Sequence, residues 1–141
     1  MKVFKAHGVL IHPYEKIGLT DHYLTEDDIY ETLMRSPMKV PVTSSHDSSP
    51  GFENVIGHAT FGLTSDDAIT VTITFNEVHA KEYEDALSVD EIRRKLRLGF
   101  MMRYEGSLCN PAKHDKSYIC KIFLEEQALG GTIDRFGMEE V

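Results

Sequence analysis

The sequence predicts a single α+β domain, built mostly from antiparallel strands that form a sheet or barrel, with two to three helices. The clearest sign is the run from Ala68 to Phe75, where apolar residues alternate with threonine, as in a strand with one buried face. A second sign is the segment after Thr25, where apolar residues recur at helical spacing. With 141 residues, 41% of them hydrophobic, the chain is long enough to bury one packed core.

The strands are predicted from runs of β-branched and aromatic residues that end at Pro, Gly, Ser or Asp. The first such run stops at Pro13. Residues 44–51 and 109–116, which are rich in turn-forming residues, are predicted to be loops. The predicted strands cover residues 3–12, 38–43, 55–63, 68–75, 98–104 and 117–124.

Two helical regions are predicted between these strands. Thr25 is the expected N-cap of the first, because acidic residues fill the turn that follows it, and the helix should end before Pro37. The second region covers residues 77–95 and restarts at Ser88, whose spacing to Glu91 is that of a capping box. The apolar residues expected on the buried sides are Ile29, Tyr30, Leu33 and Met34 of the first region and Val89, Ile92 and Leu96 of the second.

Charge and hydropathy argue against two classes of partner, nucleic acids and membranes. The chain has 15 basic and 23 acidic residues, a net charge of −8, which is the wrong sign for a protein that neutralises nucleic-acid phosphates. Its apolar runs are far shorter than the ~20 residues of a membrane span, and the N-terminus leads directly into a strand pattern. We therefore expect neither a nucleic-acid nor a membrane partner.

Metal and cofactor motifs are not predicted. Cys109 and Cys120 lack the short spacing of zinc or redox motifs, so they are expected as two free thiols in a reducing compartment, or as neighbours across a hairpin. His46, His58 and His79 fall on three different elements, with no short spacing between ligands. The sequence gives no reason to expect a bound metal or cofactor.

Two short motifs are the candidates for chemistry. The strand-like run Lys39-Val40-Pro41-Val42-Thr43 leads into a polar loop that carries His46 and Asp47. The run Leu96-Arg97-Leu98-Gly99-Phe100 begins a later strand. A histidine at the end of one strand and a Gly-Phe pair on a later one can bring a general base beside a nucleophile.

The order of elements and these two motifs resemble the prohead (capsid maturation) proteases of tailed bacteriophages, whose fold is related to the herpesvirus assembly protease. The resemblance covers residues 1–130 and leaves residues 131–141 as a C-terminal tail. It implies that His46 is the general base and that a nucleophilic serine should stand two residues before the Gly-Phe pair. That position is Arg97, which cannot attack a carbonyl, so the resemblance implies a pseudo-protease.

The resemblance then implies a non-catalytic phage virion or assembly protein: a head decoration, capsid-stabilising or scaffold-associated component. The expected partners are phage capsid or scaffold proteins, with this chain as a homo-oligomer or in many copies on a shell, in the virion or the host cytoplasm. One alternative is an active serine-type maturation peptidase with a displaced nucleophile and His46 as base. Another is a phage protein that binds a host target through Arg93, Arg94 and Lys95, although these cations also suit a helix end.

Overall fold

Strands and helices follow one another along the chain much as the periodicity predicts. The structure is a computed structural model, and it describes residues 1–17, 22–45, 54–104, 107–108, 117–126, 128 and 130–141. The strands of this described part are β1 (Lys2–Ile11), β2 (Val40–Thr43), β3 (Val55–Leu63), β4 (Ile69–Phe75), β5 (Arg97–Tyr104), β6 (Ser107–Leu108), β7 (Tyr118–Glu125) and β8 (Ile133–Glu140). Its helices are α1 (Glu26–Arg35), α2 (Glu77–Leu87) and α3 (Asp90–Lys95).

The strands form one eight-stranded sheet in the order β6-β5-β7-β2-β3-β4-β1-β8. Neighbouring strands are antiparallel except β2 and β7, which run parallel. The sheet curls until the start of β5 meets the chain just before β8. There the amide of Leu98 donates to the carbonyl of Gly131 at 2.8 Å, and the amide of Gly130 donates to the carbonyl of Leu98 at 2.9 Å. These bonds form a seam that closes a barrel, and the predicted α+β class is confirmed.

The core fills the barrel from the inward residues of alternating strands. In β4 the apolar residues Ile69, Val71, Ile73 and Phe75 are buried, whereas the threonines between them stay half-buried on the outer face. Helix α2 covers one end of the barrel, where Tyr83 stacks on Phe75 with ring centroids 4.8 Å apart. The threonine alternation therefore marked the two faces correctly.

Helix α1 begins as predicted and holds β7 in place. Its buried stripe is narrower than predicted, because Ile29 is buried whereas Tyr30 and Met34, one position further round the helix, are exposed. The Thr25 hydroxyl accepts from the amide of Asp28, whose carboxylate accepts from the amide of Thr25, which forms a capping box. At the other end, the Ser36 hydroxyl accepts from the amide of Ile119 at 2.9 Å. Arg35 donates to the carbonyl of Ser117 at 2.9 Å. The end of this helix thus fixes the start of β7.

The restart after α2 differs from the prediction. Val89 is the N-cap of α3 and makes no side-chain cap bond, while the Ser88 hydroxyl donates back to the carbonyl of Glu84. Val89 and Ile92 are exposed rather than buried, and Leu96 packs only partly against the core. The physical reason is length, because six residues make less than two turns and cannot present an apolar stripe to the barrel.

The predicted C-terminal tail forms a strand instead. Within residues 131–141, β8 pairs antiparallel with β1 along most of its length, from Gly8 opposite Ile133 to Lys2 opposite Glu140. Most of its side chains are exposed or half-buried, and four of its eight residues are charged. Such composition is typical of an edge strand, which explains why hydrophobic periodicity missed it. No helix in the described residues is long and apolar enough to cross a membrane.

Candidate functional site

Three strands bring the two sequence motifs together on the outside of the barrel. Thr43, the last residue of β2, is in register with Phe123 of β7, and Phe123 is in register with Gly99 of β5. Because strands lie about 4.8 Å apart, Thr43 and Gly99 are separated by roughly 10 Å. The loop that carries His46 therefore leaves the sheet two strands away from the Gly-Phe motif. We call Thr43, Lys121, Phe123, Gly99 and Arg97 the β2–β7–β5 face.

Most of this face is buried although it lies outside the barrel. Thr43 is 0% exposed, Lys121 3% and Phe123 9%. The ring of Phe123 lies where a Cβ on Gly99 would be, so Gly99 is required for the ring to cross β5. The Lys121 ammonium lies 5.8 Å from the centroid of the same ring.

The first turn of the loop that leads to His46 is held by two of these residues. The Thr43 hydroxyl donates to the carbonyl of Ser45 at 2.8 Å, and the Lys121 ammonium donates to the same carbonyl at 3.4 Å. His46 itself lies outside the described residues, and so does Cys109. The structure therefore fixes the base of this loop relative to β5 without describing the histidine.

Arg97 is the first residue of β5 and stands at the seam of the barrel. It pairs with Glu125 of β7 on one side and forms a bridge with Thr132 on the other. Its side chain is exposed, and its guanidinium donates to the carbonyl of Gly130 at 3.4 Å. Among the described residues, no carboxylate oxygen lies within 4.0 Å of this guanidinium. Since a guanidinium has five N–H donors, most of the Arg97 donors point to solvent.

A pocket of about 310 Å³ opens beside Arg97. Leu10 is buried and Val9 half-buried, whereas the polar side chains of the lining are exposed. The turn that supplies part of the wall contains Tyr14 at φ 65°, a left-handed conformation that is uncommon outside glycine. We call this cavity the Arg97 pocket. The residues that line the pocket are Val9, Leu10, His12, Glu15, Arg97, Gly130 and Gly131.

The three residues of the basic cluster predicted to bind a partner have different surroundings in the structure. Arg93 donates to the carbonyl of Leu87 at 2.9 Å and pairs with Asp90, and its guanidinium lies over the Phe136 ring. Lys95 pairs with Glu91 one helical turn away at 3.6 Å. Arg94 is exposed. Arg93 therefore serves to close the end of α2, and the outward cations are Arg94 and Lys95.

A second polar group lies on the outer face of β1, β4 and β8. His7 Nε2 is 2.5 Å from a carboxylate oxygen of Glu139, and His7 Nδ1 is 3.0 Å from the Thr72 hydroxyl. Because an ionised carboxylate only accepts, Nε2 donates to Glu139, and in the neutral imidazole Nδ1 accepts from Thr72. This hydrogen bond is the main reason that the pKa of Glu139 lies below its usual value. We call these three residues the His7 cluster.

The His7 cluster has the order hydroxyl, imidazole, carboxylate, as in a catalytic triad. However, Thr72 lies in the middle of β4, paired with His7 of β1 on one side and Thr60 of β3 on the other. Backbone amides inside such a ladder are engaged in strand pairing and cannot serve as an oxyanion hole. The cluster is therefore a cross-strand link rather than a reaction centre.

His58 lies on the same outer face, two strands from β1. Its register row runs from Pro41 through His58 and Thr74 to Lys5. Burial lowers the pKa of His58, and the positive charges of Lys39 and Lys5 lower it further. The imidazole is thus favoured in its neutral form.

Metal-binding groups do not assemble in the described part of the chain. No set of three or more His, Cys, Asp or Glu side chains converges there. The Cys120 thiol donates to the carbonyl of Met101 at 3.3 Å and forms no disulfide.

Sequence reasoning missed several residues around Arg97. Glu125 follows Arg97 by more than twenty residues in sequence, and only the pairing of β7 with β5 places it opposite Arg97. Further along β7, Lys121 reaches the base of the His46 loop rather than Arg97. His12 and Glu15 reach the pocket from the turn after β1. The available signal was Lys121 itself, a charged residue inside the apolar run Ile119 to Leu124.

Comparison with known proteins identifies the fold. Neither a protein-family model nor a curated protein matches the sequence. Among solved structures, the chain is similar to the KSHV protease in complex with a hexapeptide phosphonate inhibitor, with a TM-score of 0.58 and 12% sequence identity. The match covers 99% of this chain, which spans 66% of the length of that protease. At this identity the likeness establishes a viral protease-like fold.

Proposed function

We propose that this chain is a non-catalytic phage virion or assembly protein on a protease-like fold, a head decoration, capsid-stabilising or scaffold-associated component. Arg97 carries the proposal, because by the resemblance to prohead proteases it occupies the position of the nucleophilic serine. It lies at the start of β5, on the β2–β7–β5 face, which also contains Thr43 at the base of the His46 loop. A guanidinium remains protonated in proteins and cannot form an acyl-enzyme.

The proposed partners are phage capsid or scaffold proteins. The KSHV protease, whose fold is similar, accepts a hexapeptide inhibitor. We infer that the present chain keeps a place for a peptide segment but holds it without cleavage. Many copies on a symmetric shell, or a homo-oligomer, fit a compact domain with a charged surface, and they place the protein in the virion or the host cytoplasm.

Copy number in purified particles tests this function. Quantitative mass spectrometry of mature particles and of assembly intermediates should find this chain in a fixed ratio to the shell protein, at many copies per particle. Its absence from both kinds of particle would refute a structural or assembly role.

The alternative is an active maturation peptidase with His46 as base and a displaced nucleophile. The register that links Thr43, Phe123 and Gly99 favours this alternative, because the loop that carries His46 begins after Thr43, two strands from β5. This alternative requires self-cleavage or cleavage of a co-expressed scaffold protein, lost in His46→Ala and retained in His79→Ala, a histidine on α2. Intact mass at high protein concentration, with an uncut scaffold, would exclude it.

A further inference from the structure

We propose that the Arg97 pocket binds the C-terminal carboxylate of a peptide, with an apolar or basic last residue. This inference rests on the proposed non-catalytic function of the same site, and it names the chemical group that the site recognises. The pocket of about 310 Å³ is at the lower end of the range for ligand sites, so it suits one terminal residue rather than a large cofactor.

The Arg97 guanidinium has donors available for a ligand. Within the part of the chain that the structure describes, this guanidinium makes one long hydrogen bond, 3.4 Å, to the carbonyl of Gly130. By contrast, Arg93 makes three contacts, with Leu87, Asp90 and Phe136, and Arg35 bonds Ser117 and lies 3.8 Å from Glu31. The planar fork of a guanidinium matches a carboxylate in a bidentate arrangement, which Arg97 has the donors to make.

The lining of the pocket combines apolar and polar groups. The half-buried Val9 offers apolar surface next to Arg97, and His12 adds a ring nitrogen that can donate a further hydrogen bond. Glu15 lines the same space, so its charge disfavours an acidic last residue and favours a basic one. A terminal carboxylate can pair with Arg97 and His12, an apolar last side chain can pack on Val9, and a basic one can instead pair with Glu15.

His12 and Glu15 lie in a turn that forms one wall of the pocket. The amide of Tyr14 donates to the carbonyl of Leu24 at 2.8 Å, and the amide of Glu15 donates to the carbonyl of His12 at 3.3 Å. These bonds hold Tyr14 at φ 65°. A non-glycine residue in this region is a strained arrangement of the kind that clusters at binding sites. The two hydrogen bonds therefore fix the turn that carries His12 and Glu15.

The test compares acetyl-Gly-Gly-Leu as the free acid with the same peptide as its amide, by titration into the ¹⁵N-labelled full chain. We expect the acid to shift the amides of Val9 and Gly131 and the Arg97 Nε signal in a saturable way. The amide should bind at least about tenfold more weakly, since it lacks the charge-assisted pair. Equal binding of acid and amide would overturn the proposal.

Variants separate the pocket from general charge effects. Arg97→Gln should weaken binding of the acid by about ten- to a hundredfold and leave binding of the amide unchanged. Lys81→Gln, which removes an exposed cation on α2, should change neither. The thermal midpoint of Arg97→Gln should equal that of the wild type, because the Arg97 side chain is exposed and its one hydrogen bond to a described residue is long. Undiminished binding by Arg97→Gln, or competition by acetate as strong as that by the peptide, would refute peptide-carboxylate recognition.

The two proposals fail in different ways. If the chain is abundant in particles but does not distinguish acid from amide, the structural role stands and the carboxylate site is refuted. If the acid binds through Arg97 but the chain is absent from particles, the site stands and the virion role is refuted.

Discussion

The His7 cluster and the Arg97 pocket are both polar regions on the barrel surface, but they satisfy their charges differently. In the His7 cluster each polar group bonds another, with both ring nitrogens of His7 occupied. In the Arg97 pocket the guanidinium has one hydrogen bond to a described residue, at 3.4 Å. A half-buried polar group that is fully bonded stabilises a fold, whereas donors left towards a cavity are available to a ligand.

Their places in the barrel explain the difference. The His7 cluster lies inside the sheet, where strands on both sides supply partners at fixed register. The Arg97 pocket lies at the seam, where the chain at Gly130 and Gly131 passes so close to Val9, Leu10 and Leu98 that side chains are excluded. Partners for Arg97 from that direction are therefore backbone atoms only.

Gly130→Ala should have the largest effect on stability, because it places a side chain in the seam where the Arg97 pocket lies. A Cβ at Gly130 would overlap the carbonyl of Leu98 and lie 3.0 Å from the carbonyl of Leu10, and backbone cannot move away as a side chain can. We expect a loss of about 3 kcal/mol in the free energy of unfolding, measured by urea denaturation.

Gly62→Ala is the matched control for the seam. Its Cβ would approach the Thr70 hydroxyl at 2.7 Å, and that hydroxyl can rotate. The loss should be about 1 kcal/mol or less. Equal losses in the two variants would show that the seam does not constrain the barrel.

Glu139→Gln should have an intermediate effect, because it removes the charge that strengthens the bond to His7. We expect a loss of about 1 kcal/mol at neutral pH, the low end for a charge-assisted bond because the side chain of Glu139 remains 34% exposed. Glu140→Gln, which removes an exposed contact with the N-terminus, should cost less than about 0.5 kcal/mol.

The pH dependence of this loss identifies its cause. The hydrogen bond with His7 and the charges of His7, Arg135 and Lys5 lower the pKa of Glu139 in the folded chain, despite partial burial that raises it. The stabilisation is therefore complete above the unfolded pKa of about 4.3 and is lost as pH falls through the lowered folded value. Urea curves from pH 7 to pH 3 should show the wild type converging on Glu139→Gln. A difference independent of pH would contradict the ionic contribution.

Lys39→Gln should have the smallest effect, a rise in the pKa of His58 towards its ordinary value. Burial is the largest cause of the lowered pKa and remains, while the charge of Lys39 is removed. Because the folded pKa is lowered, stability falls as pH drops below about 6.5, the unfolded value, and levels off below the folded one. NMR titration of the ring protons measures the shift, and Lys81→Gln should leave it unchanged. An unaltered pKa of His58 in Lys39→Gln would show that solvent screens the charge of Lys39 from His58.

Local patterns in the sequence were enough to predict most elements. The capping residue Thr25 and the threonine alternation of β4 act through neighbours in sequence, so both are visible without a structure. Strand β8 was missed because an edge strand with Asp134, Arg135 and Glu140 exposed has no apolar period. The surroundings of Arg97 were missed because Glu125, His12 and Gly130 meet it only through strand pairing and barrel closure.

The parallel pairing of β2 with β7 has a consequence for how the chain folds. It joins Val42 to Ile122, and the pairing of β1 with β8 joins Lys2 to Glu140, so the sheet is dominated by contacts between residues distant in sequence. High contact order predicts folding on the order of milliseconds to seconds, slower than for a helical bundle. A chain still on the ribosome before residue 122 lacks the strand that connects β2 to β5. The β2–β7–β5 face therefore forms only after synthesis has passed β7, and any partner that recognises it meets a folded barrel rather than a nascent chain.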